Sequence, residues 1–147
     1  MVINMSLREK RAAELFDSGF NCAQSVVGAF CEDYGIGARE ALRLAGGFGG
    51  GLRCGEVCGA VSGAVMVIGL KHGQSVTGDA AAKAECSRLT SEFTERFRGK
   101  NGTLLCRELL GYDVRDSGAR EKFPGRQKEV CPKAISDAVA LLEEMGF

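Results

Sequence analysis

Residues 53–70 read RCGEVCGAVSGAVMVIGL and contain the longest apolar run of the 147-residue chain, from Val57 to Leu70. The run is shorter than the roughly 20 apolar residues that a helix needs to cross a membrane. Glycines interrupt it at Gly59, Gly63 and Gly69. We therefore predict a buried helix that begins near Cys54 to Cys58 and ends at about Gly69, and we expect no membrane association.

Two capping patterns predict two helices before this run. The tetrapeptide Ser6–Glu9 has the residue types of a capping box, and its helix runs to about Asp17. Asn21 starts a second helix with Gln24 in the reciprocal position, and Gly35 ends it.

The rest of the chain also has helical rather than strand patterning. Apolar residues recur at spacings of three and four in the long segment after the glycine-interrupted run. Thr103 and Pro132 suit the first turns of two later helices. Further helices are predicted over residues 38–45, 79–98, 103–110 and 131–145, with a polar loop over residues 112–129. The sequence therefore predicts an all-α, single-domain bundle of about six to seven helices over residues 1–147.

Charge and composition exclude some classes of function. The chain has 19 Lys+Arg and 19 Asp+Glu, so its formal net charge is zero. Proteins that bind nucleic acid generally rely on an excess of cations, so we expect no nucleic-acid partner. The N-terminal segment has no apolar core of the signal-peptide type, and we expect a cytoplasmic protein. Seven cysteines cannot all pair within one chain, and clustered thiols in a reducing compartment favour metal binding, catalysis or redox sensing.

Five of the seven cysteines fall near predicted helix N-termini: Cys22, Cys54, Cys58, Cys106 and Cys131. The unpaired N–H groups and positive dipole end of a helix stabilise a thiolate and can lower its pKa. Thiolates are the nucleophiles of disulfide exchange and the ligands of iron and zinc. These five cysteines are therefore candidate ligands of a metal or an iron–sulfur cluster.

Cys54 and Cys58 are four positions apart, so a continuous helix would place both on one face. That spacing could hold one metal or one edge of a cluster, although packing explains such a pair equally well. Cys106 and Cys131, each at another predicted helix start, favour a convergent site. Cys31 and Cys86 are better interpreted as core residues. His72, the single histidine, is expected at an exposed helix end.

The glycines beside these cysteines allow two interpretations. Gly55, Gly59 and Gly63 would form a groove along the fourth helix that lets an inorganic centre or another backbone approach closely. The alternative is tight helix packing, within the chain or across a homodimer interface. The preceding AGGFGGGL, residues 45–52, lacks the residues that dinucleotide-binding and phosphate-binding loops require.

Four blocks of sequence together resemble a known family, the "putative redox-active" proteins named for their C_GCAxxG_C_C cysteine pattern. The blocks are FNCAQSVVGAFCEDYG, AGGFGGGLRCGEVCGAVSGAVMVIGL, NGTLLCRELLG and EVCPKAISDAVALLEEM, which together span about Phe20 to Met145. By this resemblance Cys22 corresponds to the first family cysteine, Cys58 to the central motif, and Cys106 and Cys131 to the last two. The sequence departs from the pattern in having Val57 before Cys58 and Gly59 after it.

The resemblance implies redox activity, and similar domains occur joined to multihaem cytochrome modules that carry iron–sulfur centres. The chain has no CxxCH motif for c-type haem. We expect electron transfer through a metal or iron–sulfur cluster, with a redox partner protein that the sequence does not identify. A metal-free thiol–disulfide oxidoreductase that uses Cys58 with Cys106 or Cys131 is the first alternative, and a non-catalytic assembly module is the second. Gly59 and Gly63 would line the cofactor in the first case.

Overall fold

The computed structural model describes residues 4–147, and within this range the fold is all-α, as the sequence predicts. Residues 31–34 form a 3₁₀ turn, and residues 51–55 form an irregular π-type turn. Between residues 4 and 147, extended pairing is limited to one isolated antiparallel bridge, Val57–Leu105. The helices are α1 (Leu7–Asp17), α2 (Cys22–Phe30), α3 (Ala38–Leu44), α4 (Gly59–His72), α5 (Ala80–Asn101), α6 (Cys106–Leu110), α7 (Ser117–Lys122) and α8 (Arg126–Glu144).

The core forms around α2 and α4, which pack against each other. Helix α1 covers α2, α5 covers α4, and α8 contacts all four of these helices. Phe30, Phe93 and Phe97 are fully buried in this core, together with Ile68 from α4. None of the helices in residues 4–147 is both long enough and apolar enough to cross a membrane.

Close contact between α2 and α4 depends on glycine. A Cβ built on Gly63 would lie 2.6 Å from the carbonyl oxygen of Ala23, which is closer than real Cβ atoms approach backbone. A Cβ on Gly59 would lie 3.1 Å from the amide nitrogen of Ala23. Gly59 and Gly63 therefore allow α4 to pack closely against α2. This arrangement is the tight helix packing within the chain that was one of the two interpretations of these glycines. Gly55 is not on α4, so the predicted groove of three glycines along one helix is wrong.

The predicted caps of the first two helices are confirmed. The Ser6 hydroxyl accepts a hydrogen bond from the Glu9 amide at 3.1 Å, and the Glu9 carboxylate accepts in return from the Ser6 amide. Asn21 and Gln24 exchange two such bonds, each of 2.9 Å. These short-range patterns can be read from sequence because donor and acceptor are only three residues apart.

Helix α4 begins at Gly59, next to the Cys58 end of the predicted range, and a start at Cys54 is wrong. Gly50, Gly51, Leu52 and Arg53 all have left-handed backbone conformations, with φ between 58° and 63°. The chain then extends through residues 56–58, where the Cys58 amide donates to the Leu104 carbonyl at 2.7 Å. Cys54 and Cys58 consequently do not share a helix face.

The predicted boundaries in the last third of the chain are also wrong. Helix α8 begins at Arg126, so Cys131 and Pro132 lie inside it rather than in its first turn. The first turn of α8 is polar, so it lacks the apolar residues at spacings of three and four that predict a helix. Arg126 attaches this turn to α6 by donating a hydrogen bond to the Leu110 carbonyl at 3.0 Å. The predicted loop contains α7, which the Asp116 side chain caps.

Helix α6 differs from the prediction as well. It begins at Cys106, and the Thr103 hydroxyl accepts from the Leu105 amide at 3.1 Å without capping the helix. In addition, α5 continues through Asn101, beyond its predicted end near Arg98, and Gly102 terminates it in a left-handed conformation.

Candidate thiol redox site

Four of the five candidate cysteines line one cavity of about 390 Å³, which we call the thiol cavity. They come from four separate parts of the chain. Cys22 is the first residue of α2, Cys58 precedes α4, Cys106 is the first residue of α6, and Cys131 lies in α8. All seven cysteines are free thiols. The fold therefore brings together sulfur atoms that are distant in sequence.

Side-chain hydrogen bonds fix the position of Cys22. Asn21, which caps α2, donates from Nδ2 to the Gly46 carbonyl at 3.1 Å. Gln24 donates from Nε2 to the Leu42 carbonyl at 2.9 Å. These bonds attach the first turn of α2 to the end of α3 and to the glycine-rich segment that follows it. Cys22 is thereby held at the cavity wall, and its residue is 9% exposed.

The bridge between residues 57 and 105 positions Cys58 and Cys106. The Cys58 amide donates to the Leu104 carbonyl and the Cys106 amide donates to the Glu56 carbonyl, each at 2.7 Å. Two short backbone bonds thus join the segment before α4 to the segment before α6. Both cysteines are buried. Sequence patterning does not predict this bridge, because a single pair of extended residues has no periodic signal.

Cys131 reaches the cavity from the second turn of α8. Its side chain is partly buried, and it packs against both the main core and a smaller apolar cluster. That smaller cluster consists of Cys106, Leu110, Tyr112 and Val114. Helix α8 therefore contributes Cys131 to the cavity wall, together with Gln127, Val130 and Ala134.

The remaining cysteines and His72 lie away from the cavity. Cys54 does not line it, and its thiol donates to the Gly51 carbonyl at 3.4 Å. Cys31 is buried in the core, and Cys86 is partly buried against it. His72 is the last residue of α4 and packs edge-on against the Phe147 ring, with the ring centroids 5.6 Å apart.

The two glycines that were predicted to line a cofactor have different surroundings. Gly59 does line the cavity, and a Cβ placed on it would lie 3.1 Å from the Cys22 Cβ. Gly63 lies one turn further along α4 and contacts the Ala23 backbone instead. Gly59 thus allows Cys22 to approach the start of α4, whereas Gly63 contributes only to helix packing.

Burial determines the pKa of two of the cavity thiols. The backbone N–H groups of Ala60 and Val61, at the start of α4, lower the pKa of Cys58, but burial outweighs them and raises it to about 11. Burial and the neighbouring thiols raise the pKa of Cys106 to about 12, against a smaller lowering by the Arg53 cation. The expectation that helix starts lower these pKa values is therefore wrong for both residues, because desolvation disfavours the charged form.

Cys22 and Cys131 behave as a pair. A hydrogen bond between the two thiols lowers the pKa of Cys131 and, together with burial, raises that of Cys22 well above its ordinary value. The physical cause is that the Cys22 S–H stabilises the Cys131 thiolate and in turn becomes harder to ionise. Cys131 is accordingly the cavity thiol that ionises first, although it does not lie at a helix N-terminus.

Arg53 is a cavity residue that sequence reasoning missed. It follows three glycines and Leu52 in a turn of four successive left-handed residues, of which Leu52 (φ 59°) and Arg53 (φ 58°) are not glycine. Left-handed conformation costs an L-residue roughly 1–2 kcal/mol, and such strain is concentrated at functional sites. The available signal was a lone arginine beside a glycine run and a cysteine.

The donor set limits the chemistry that is possible here. Thiols are soft ligands, suited to iron–sulfur clusters and zinc, and they are also the reactive groups of disulfide exchange. Within residues 4–147, no three or more His, Cys, Asp or Glu side chains are arranged so that they could hold a single metal ion. The wall of the cavity carries four sulfur atoms and no carboxylate or imidazole among the described residues.

The chain was compared with known proteins and families. Residues 20–145 match the model of the family described as "Putative redox-active protein (C_GCAxxG_C_C)". Comparison with curated proteins and with solved structures gives no significant match. The family match covers most of the chain and includes all four cavity cysteines, so this chain belongs to the C_GCAxxG_C_C family of putative redox-active proteins.

Proposed function

We propose that Cys22, Cys58, Cys106 and Cys131 form a redox centre that holds an iron–sulfur cluster and transfers electrons to and from a partner protein. The observation that supports this most strongly is the convergence of four thiols, from four separate segments, on one cavity. A disulfide needs only two sulfur atoms. Four cysteines are the usual ligand set of an iron–sulfur cluster.

The surroundings of the thiols fit such a group. The cavity holds four soft donors, and no carboxylate lines it among the described residues. The pKa values of Cys58 and Cys106 are raised to about 11 and about 12, so their thiolates need a nearby positive charge. Iron held by Cys58 and Cys106 would supply such a charge, and both thiols would lose their protons on ligation.

The chain itself would contribute ligation, burial and orientation. When bound, the cluster supplies one-electron redox chemistry. The backbone bridge before α4 and α6 keeps Cys58 and Cys106 in place, and the capped start of α2 does the same for Cys22. Burial of these three cysteines limits the access of water, which affects the reduction potential of a cluster.

One observation favours a second candidate function, a metal-free dithiol oxidoreductase. The Cys22–Cys131 pair combines a thiol of lowered pKa with a hydrogen-bonded partner. The Cys131 thiolate would attack a substrate disulfide and release one substrate thiolate, which takes up a proton. Cys22 would then lose its proton and attack the Cys131 Sγ of the mixed disulfide, which breaks the bond to the second substrate sulfur and releases it as a thiolate that takes up a proton. The products are a Cys22–Cys131 disulfide and two substrate thiols, so the protein is oxidised and the substrate reduced.

Anaerobic purification distinguishes the two candidates. The cluster proposal predicts a coloured protein that contains iron and acid-labile sulfide, and it predicts loss of both in Cys58→Ser and Cys106→Ser. Cys86→Ser is the matched control, because Cys86 is partly buried but does not line the cavity. A colourless protein without iron, in which Cys22 and Cys131 form a reversible disulfide, would contradict the cluster and support the dithiol function.

A further inference from the structure

Arg53 is the one charged side chain on the wall of the thiol cavity within the described part of the chain. The wall has two kinds of surface besides sulfur. Leu109, Leu110 and Val114 provide apolar surface, and amide side chains provide uncharged polar surface. A ligand that enters this cavity therefore meets a single fixed positive charge and no fixed negative charge from a carboxylate.

The positive charge of Arg53 is not neutralised by a carboxylate. Glu56 and Asp113 belong to neighbouring segments, but Glu56 pairs with Arg107 at 3.1 Å and Asp113 with Arg115 at 2.7 Å. Between residues 4 and 147, the Arg53 guanidinium takes part in no ion pair. Arg53 is exposed, so its guanidinium is accessible from solvent.

The left-handed turn places Arg53 beside the glycines of the cavity wall. A Cβ built on Gly50 would lie 3.2 Å from the Arg53 Nη1, so the guanidinium folds back over the Gly50 backbone at the cavity wall. Gly51 is enclosed in the same way, since a Cβ there would lie 2.8 Å from the Cys106 Cβ. Gly50 and Gly51 thus allow the turn to pack against Cys106, and the Arg53 side chain lies over the Gly50 backbone.

We propose that the mouth of the thiol cavity binds a small anionic molecule, whose carboxylate or other oxyanion pairs with Arg53 while its uncharged part contacts the apolar wall. Guanidinium groups bind such anions through two parallel N–H donors. The inference deepens the proposed redox function by giving the class of small molecule that would approach the sulfur atoms. It rests on the thiol cavity being that centre, whether a cluster or a dithiol operates there.

Protection of Arg53 from chemical modification tests the proposal on the wild-type protein as purified. Phenylglyoxal modifies exposed arginines, and peptide mass spectrometry gives the rate at each one. Butyrate should slow the modification of Arg53 at least threefold at millimolar concentration, whereas uncharged butyramide should not. Arg39, an exposed arginine of α3 away from the cavity, is the internal control and should react at the same rate throughout. Equal rates at Arg53 with and without butyrate would overturn the proposal, even if the protein contains a cluster.

A second measurement uses alkylation of Cys131 in reduced, metal-free protein that retains its helical circular dichroism. The ratio of rates with iodoacetate and with neutral iodoacetamide should fall about fivefold in Arg53→Gln and much less in Arg53→Lys. The matched control, Arg39→Gln, changes the net charge equally and should keep the wild-type ratio. If Arg53 only stabilised the thiolate, both reagents would slow together and the ratio would not change, which contradicts anion binding.

Discussion

Cys22 and Cys131, 109 positions apart in the sequence, both line the thiol cavity, where each thiol shifts the pKa of the other. The two shifts have opposite directions. Cys131 has a lowered pKa and Cys22 a raised one, so Cys131 loses its proton before Cys22 as the pH rises.

Replacement of Cys22 by alanine should raise the pKa of Cys131, because the thiolate loses its hydrogen-bond donor. A hydrogen bond to a charged group is worth about 1.5–3 kcal/mol, which corresponds to a shift of about one to two pH units. The rate of Cys131 alkylation against pH in metal-free protein measures the shift. Cys86→Ala is the control and should leave the profile unchanged. A Cys22→Ala profile that coincides with the wild type would show that the two thiols are independent.

The stability of the metal-free protein should fall at alkaline pH. The pKa values of Cys58 and Cys106 are raised to about 11 and about 12 in the folded state, whereas an unfolded thiol ionises near 8.5. Above that pH the unfolded chain releases protons that the folded chain retains, so the free energy of unfolding decreases until the folded pKa values are passed.

Denaturant titrations between pH 8 and 11 would measure this loss. Each thiol contributes a slope of at most about 1.4 kcal/mol per pH unit. Cys58→Ala should have a shallower slope than the wild type, while Cys86→Ala should keep it. A wild-type stability that does not change over this range would contradict the raised pKa values.

Two alanine substitutions on α4 should have opposite effects on stability. Gly63→Ala places a Cβ 2.6 Å from the Ala23 carbonyl oxygen, so α2 and α4 must separate, at a cost of about 1–3 kcal/mol. Gly69→Ala, on the same helix, has no neighbouring atom within 4 Å and should stabilise the protein by about 0.5–1 kcal/mol through helix propensity. Urea unfolding measures the free energy of unfolding of both variants. Equal changes in the two variants would contradict the close packing of α2 and α4.

Part of this architecture could be predicted from sequence because the responsible residues are close together in the chain. Ser6 with Glu9 and Asn21 with Gln24 cap the first two helices as the residue types indicate. Spacing and the family resemblance also identify Cys22, Cys58, Cys106 and Cys131, which the fold brings to one cavity.

The remainder depends on contacts that have no local pattern. The bridge between Val57 and Leu105 joins two single extended residues, so neither segment shows an alternating period. The four-residue spacing of Cys54 and Cys58 suggests that both lie on one helix. The four left-handed residues before Cys54 are incompatible with such a helix. The first turn of α8 is polar and is held by Arg126 binding to α6, so its apolar pattern begins later than the helix does.

The strained turn beside the cavity gives a further prediction. Leu52 is 52% exposed and has φ 59°, a conformation that glycine adopts without strain. Leu52→Gly should therefore raise the free energy of unfolding, or leave it unchanged. Leu44→Gly replaces another exposed leucine, at the end of α3, and should lower it by about 0.5–1 kcal/mol. If Leu52→Gly destabilised the protein as much as Leu44→Gly, the left-handed conformation of Leu52 would be refuted.

The most direct test of the four-thiol centre is a crystal structure of the anaerobically purified protein with anomalous diffraction data collected at the iron absorption edge. The account predicts iron in the cavity, bonded to the Sγ atoms of Cys22, Cys58, Cys106 and Cys131, with Cys54 outside the ligand set. Iron bound elsewhere, or a cavity without iron in which these four sulfur atoms point away from one another, would contradict it.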